Sequence, residues 1–185
     1  MPTTLLERYC PRTEFASQED FQDNFRLEIP DNFNFSHDVV DWYAEHDPAR
    51  LALLWTNDRG EELSLDFREL RRRADQAANF FQSRGVRKGD AVMLCLKGRW
   101  HFWTCLVALH KLGALAVPAT HMMQAGNVAY RLERLNFRMI LAAREASLMA
   151  NIRQALEQTG KDVQLLSVDG PAEGWEDFNR LTEAM

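Results

Sequence analysis

Thr120-His121-Met122 is the one short run in this 185-residue chain whose residue types and position together suit a ligand site. A hydroxyl, an imidazole and a thioether follow closely on Pro118, just past a brief apolar run, Leu115-Ala116-Val117. In open α/β sheets, ligands sit outside the carboxyl ends of the strands, so these side chains stand where a site belongs. The other reactive residues are dispersed. His37, His46, His101, His110 and His121 share no short chelating spacing, and no metal is expected. Cys95 and Cys105 lie in apolar segments, where cysteine behaves as a small hydrophobe, and neither has an identifiable base partner. No Gly-x-Ser-x-Gly elbow occurs. None of the nine glycines forms the Gly-x-Gly of a dinucleotide turn, and a Walker-type loop is absent. Trp100-His101-Phe102-Trp103 offers aromatic lining for an acyl pocket, or simply core.

Composition narrows the classes. The chain is 46% hydrophobic and 26% charged, ordinary for a globular domain. Lys and Arg number 22 against 27 Asp and Glu, a net charge of -5, which argues against phosphate-driven nucleic-acid binding. Arg71-Arg72-Arg73 does not reverse this, because consecutive helical residues point in different directions and acidic neighbours surround them. No apolar run reaches the roughly 18 residues of a membrane span. The opening residues lack the apolar centre of a secretory signal. With three scattered cysteines, the expectation is a reduced, cytoplasmic protein.

The elements that must position Thr120–Met122 follow from periodicity. Residues 1–35 read as an irregular arm with a short helix near Gln18–Phe25. Ser36 reads as the N-cap of a helix carrying Val39, Val40, Tyr43 and Ala44. Leu51–Thr56 and Glu62–Leu65 read as a β-hairpin joined by Asn57–Gly60. Asp66 and Glu69 have capping-box spacing, and Phe67, Leu70, Ala74, Ala77 and Phe81 form one buried stripe behind them. Ala91–Leu96 reads as a strand. Trp100–Leu112 is apolar nearly all round and is expected to be buried on several sides, ending at Gly113. Leu115–Val117 reads as a strand covered on both faces. Helix, strand, helix and strand then follow, over Val128–Leu135, Met139–Ala142, Leu148–Leu156 and Val163–Val168. A closing helix carries Trp175, Phe178 and Leu181. Such alternation predicts an α/β fold: a doubly wound parallel sheet with helices on both faces, preceded by the arm and the small hairpin.

The run from Phe33 to Ala142 resembles the amino-terminal region of the adenylate-forming acyl-CoA synthetases, most of all their medium-chain, acetyl-CoA-synthetase-like branch. FNFSHDVVDWYAE, the Phe-x-Glu-Leu of Phe67–Leu70, the Gly-Val-x-x-Gly-Asp of Gly85–Asp90 and the Lys-Leu-Gly-Ala-x-x-x-Pro of Lys111–Pro118 carry the likeness. EGWEDFNRLTEA near the end adds to it. The resemblance implies an ATP- and magnesium-dependent ligase that joins a small or medium-chain carboxylic acid to CoA through an acyl-adenylate. It implies that residues 36–185 are the first part of the large amino-terminal domain, and that the phosphate loop, nucleotide and magnesium contacts and catalytic lysine lie beyond Met185. This stretch alone is then expected to be inactive and to hold none of ATP, magnesium or CoA. Only Thr120, His121 and Met122 carry over, as the lip of the CoA and acyl channel; at the position of Met122 some relatives have glutamine. A non-catalytic interaction or regulatory module derived from such a synthetase is the alternative, and a flavodoxin-like or dinucleotide-binding domain shares the fold class. The Trp100–Leu112 helix and the Trp175–Leu181 stripe are expected to leave apolar surface for self-association.

Overall fold

The computed structural model describes residues 4–185; the first three residues of the expected arm lie outside them. The arm holds α1 (Leu5–Tyr9) and α2 (Gln18–Asn24). A single π-helical stretch, Ser36–Asp41, runs directly into α3 (Trp42–His46). The antiparallel hairpin is β1 (Leu51–Thr56) and β2 (Glu62–Asp66), followed by α4 (Phe67–Ser83). Strands and helices then alternate: β3 (Ala91–Cys95), α5 (His101–Leu112), β4 (Leu115–Pro118), α6 (Ala125–Arg134), β5 (Phe137–Ala142), α7 (Ala146–Thr159) and β6 (Gln164–Ser167). A two-residue strand β7 (Glu176–Asp177) and α8 (Phe178–Glu183) complete the chain.

The five strands β3–β7 form one parallel sheet in the order β4-β3-β5-β6-β7. Strand alternation divides the core between its faces. Val92, Leu94, Leu96, Met139 and Leu141 pack with Phe80 and Phe81 of α4, Leu109 of α5 and Phe178 of α8. Ala91, Met93, Cys95, Ile140 and Ala142 point the other way, onto Val128 and Leu132 of α6 and Leu148 and Ile152 of α7. Side chains two apart share a face, so one strand serves two helical layers. The expected doubly wound sheet is therefore present. Burying a side chain the size of Phe80 or Phe81 contributes about 2–3 kcal/mol.

Several local expectations need correction. Ser36 is not an N-cap: its hydroxyl is buried and donates to the Val107 carbonyl at 2.7 Å, pinning the π-helix to α5. Asn34 supplies the capping instead, its side chain accepting from Ser36 N at 3.0 Å while Asp38 accepts from Asn34 N. Asp66 caps α4 by accepting from Glu69 N at 2.7 Å, but Glu69 gives its carboxylate to Arg72 and Arg73, so the reciprocal half of a capping box is missing. β4 is not covered on both faces. It is the sheet's edge, and Leu115 is 49% exposed. Trp175 is not on the closing helix: it is buried in the turn before β7, where its amide donates to the Ala172 carbonyl. Trp175 and Phe178 of that stripe are thus packed inside the fold, with Leu181 partly buried. α5 is buried along His101, Cys105, Ala108 and Leu109 as expected, although Trp103 is half exposed. No helix among the described residues is long and apolar enough to cross a membrane.

Candidate functional site

β3 connects to β4 on one side and, through α6, β5 lies on its other side, so the sheet reverses its winding at β3. Ligands of open α/β sheets bind outside the carboxyl ends of the strands at that reversal. Here those ends carry three loops. After β3, Lys97 at φ 43° and Gly98 at φ 69° are both left-handed, turning the chain sharply into α5. A left-handed non-glycine residue is strained, which is a feature of functional loops. Trp55 of the hairpin donates its indole N–H to the Gly98 carbonyl at 2.5 Å and holds this turn.

Ion pairs tie the loops together. Arg99 donates two parallel hydrogen bonds of 2.9 Å to Asp169, just past β6. The same carboxylate accepts from the Arg144 backbone N–H, just past β5, at 2.9 Å. Burial pushes Asp169 up, but the Arg99 guanidinium and the Arg144 amide outweigh it, and its carboxyl stays below the usual range. Lys97 Nζ lies 2.8 Å from Glu145, and this hydrogen bond lowers the glutamate.

Between the β3 and β4 ends lies an open pocket of about 340 Å³, floored by Leu94, Leu96, Phe102 and Pro118 and rimmed by Lys97, Thr120 and His121. Ala119 N donates to the Leu94 carbonyl at 3.0 Å, carrying the pairing of β4 with β3 past Pro118. Thr120 Oγ1 then accepts from Met122 N at 3.3 Å, a short local turn. Thr120 and His121 therefore face the pocket rim. Met122 does not line it, being 70% exposed, whereas Met123 beside it is buried. Of the aromatic run only Phe102 reaches this pocket. Trp100 lies between the Arg73 guanidinium, at 4.8 Å, and the His101 ring, at 3.7 Å. Lys97, Arg99, Glu145 and Asp169 were not singled out by sequence; the Lys97-Gly98 pair closing an apolar strand was the available signal.

The remaining candidates are chemically quiet. Burial pushes the Cys95 thiol up to about 12 and raises Cys105 as well, so neither is a thiolate nucleophile. His101 is 5% exposed, and burial holds its imidazole down at about 4 even though Asn179 hydrogen-bonds it. Among the described residues no three His, Cys, Asp or Glu gather to hold a metal ion. At this rim Lys97 and Arg99 are already paired, and Gly98 makes one turn rather than an amide cradle. The pocket's apolar floor suits a hydrocarbon or thioester end instead.

The family model described as AMP-binding enzyme matches residues 40–183. The chain belongs to that family. Among curated members it is similar to acyl-coenzyme A synthetase ACSM2B, mitochondrial, of Homo sapiens, at 32% identity over 160 residues, covering 83% of this chain and 28% of that protein. Acyl-coenzyme A synthetase ACSM1, mitochondrial, of Mus musculus is 30% identical over 190 residues, covering 99% of this chain and 32% of that protein. Two solved members of this fold are a benzoate CoA ligase from Burkholderia xenovorans LB400 and the anthranilate CoA ligase AuaEII in complex with anthranoyl-AMP. Their TM-scores are 0.65 and 0.70, each at 22% identity; they cover 82% and 85% of this chain and 28% of their own length. The chain thus spans under a third of the length of these curated relatives.

Proposed function

We propose that this AMP-binding chain is the amino-terminal segment of an ATP-dependent acyl-CoA ligase. The whole enzyme would convert a small or medium-chain carboxylic acid, ATP and CoA to acyl-CoA, AMP and pyrophosphate through an acyl-adenylate. The family match over residues 40–183, from a chain spanning 28% of its acyl-coenzyme A synthetase relative, carries the reading. In this account residues 1–35 are an arm and residues 36–185 the first part of the large domain. The segment supplies a wall of the domain and one lip of the CoA and acyl channel, at Thr120 and His121, with the exposed Met122 just outside the pocket. The Arg99–Asp169 and Lys97–Glu145 pairs keep the opposing loop in place. Adenylation requires groups aimed at the developing phosphate charge, with a metal to share it. In this reading those groups belong to the rest of the enzyme, and the segment alone would be inactive.

Expressing the whole reading frame that contains these residues tests the proposal. Formation of AMP and acyl-CoA from short and medium-chain fatty acids supports it. A frame that closes at Met185, with a product that binds and modulates a separate synthetase, would instead favour the non-catalytic module. Three buried free cysteines suit a reducing compartment, and we propose the cytoplasm. The named human and mouse relatives are mitochondrial, so fractionation of a tagged chain decides between the two.

A further inference from the structure

The arm makes an excursion over residues 11–33 that is held together from within. Arg12 grips the Asp20 carboxylate with two hydrogen bonds, of 2.8 and 2.5 Å, and the same carboxylate accepts from Ala16 N and Asn24 Nδ2. Phe15, Phe21 and Phe25 pack on one another, with Phe21 and Phe25 stacked at 4.9 Å, yet none of the three is buried. Beyond them Phe25–Ile29 runs extended. Glu28 N donates to the Tyr9 carbonyl at 2.8 Å, while Leu27 and Ile29 are half exposed. An aromatic cluster with apolar neighbours and no core beneath it is the anatomy of a contact surface. It is also acidic: residues 11–33 carry six carboxylates against two arginines. Asp20 is neutralised by Arg12, while among the described residues Glu19, Asp23, Glu28 and Asp31 form no ion pair.

The opposite character is found on α6. Among the described residues Arg131 and Arg134 form no ion pair, and Glu133 is the one carboxylate on this helix; Arg134 lies 4.5 Å over the ring of Tyr130, and Tyr130 and Leu135 are exposed. A basic, aromatic helix face and an acidic, aromatic arm are complementary in sign and in kind.

We propose that two copies of this chain associate, the acidic aromatic arm of one seated on the Tyr130–Arg134 face of α6 in the other. The two patches differ, so a twofold pair closes by making the contact twice, each arm on its neighbour's α6. The surface is distinct from the pocket at Thr120 and His121, and it is read by mass rather than by activity, so its failure and the failure of the ligase reading are distinguishable.

Sedimentation of the whole chain at tens of micromolar tests it. At low salt the expected mass is that of two copies, falling to one near 1 M salt, because exposed charges are then screened within a few ångströms. The double variant Arg131→Glu with Arg134→Glu is expected to weaken pairing about tenfold or more. These side chains are solvated, and an unchanged far-ultraviolet spectrum verifies folding. Adding Glu19→Lys and Asp23→Lys to that variant restores the opposite signs and is expected to recover pairing. A single-copy mass at low salt overturns the proposal. So does pairing indifferent to the Arg131 and Arg134 reversals, or a charge swap that restores nothing.

Discussion

Lys111 is the most constrained cation in the fold. Its side chain is 7% exposed and sits 2.6 Å from Asp41 on the π-helix and 2.7 Å from Asp75 on α4. Removing it strips both carboxylates of their nearest cation, although Arg71 remains 3.4 Å from Asp41 and 3.8 Å from the half-exposed Asp75. Lys111→Met is therefore expected to lower stability by about 1–2 kcal/mol, read from urea unfolding. An unchanged midpoint would mean that water already reaches both aspartates. His101 supplies a pH dependence. Asn179 Nδ2 donates to the Val168 carbonyl at 2.9 Å, so its Oδ1 accepts from His101 Nε2–H and the ring is neutral. Burial lowers this histidine from 6.5 to about 4. Below pH 6.5 the unfolded chain takes up a proton that the native chain refuses, so stability falls as pH drops from about 6.5 towards 4. His101→Asn is expected to flatten that slope in urea midpoints measured across the window. A variant that loses stability in parallel with the natural chain would contradict the assignment.

At the scale of elements, two helices end in left-handed glycines with different surroundings. Gly113 closes α5 at φ 64°, and a Cβ there would lie 3.1 Å from Lys88 Cγ; Gly160 closes α7 at φ 63° into open space. Alanine at Gly160 is expected to cost about 1 kcal/mol for the backbone alone, and alanine at Gly113 somewhat more. Equal midpoints for the two variants would show that Lys88 yields freely. These two helices were legible because a glycine stop and an apolar periodicity are local signals. The hairpin, α4 and strands β3, β5 and β6 were legible for the same reason. What failed depended on distant partners. Ser36 has cap chemistry, but its hydroxyl is claimed by Val107, far along the chain. The apolar residues of β4 are indistinguishable in sequence from a central strand, yet the strand order puts them at the edge. β7 is only two residues long, too short to show a period.

For the whole molecule, the sequence marked the right end of the sheet for a pocket but only one side of it. Thr120 and His121 follow a readable strand and proline. Lys97, Arg99, Glu145 and Asp169 are scattered over three loops and become a group only when β3, β5 and β6 align in parallel. The doubly wound sheet builds a wall and a rim, and Lys97 and Arg99 at that rim form ion pairs that hold its loops together. A single assay reaches the central proposal, that the machinery for handling ATP lies outside this segment. The most direct measurement is pyrophosphate release by the 185-residue chain given ATP, magnesium, CoA and a range of fatty acids. The account predicts release no faster than in a protein-free control. Sustained, fatty-acid-dependent release would contradict it.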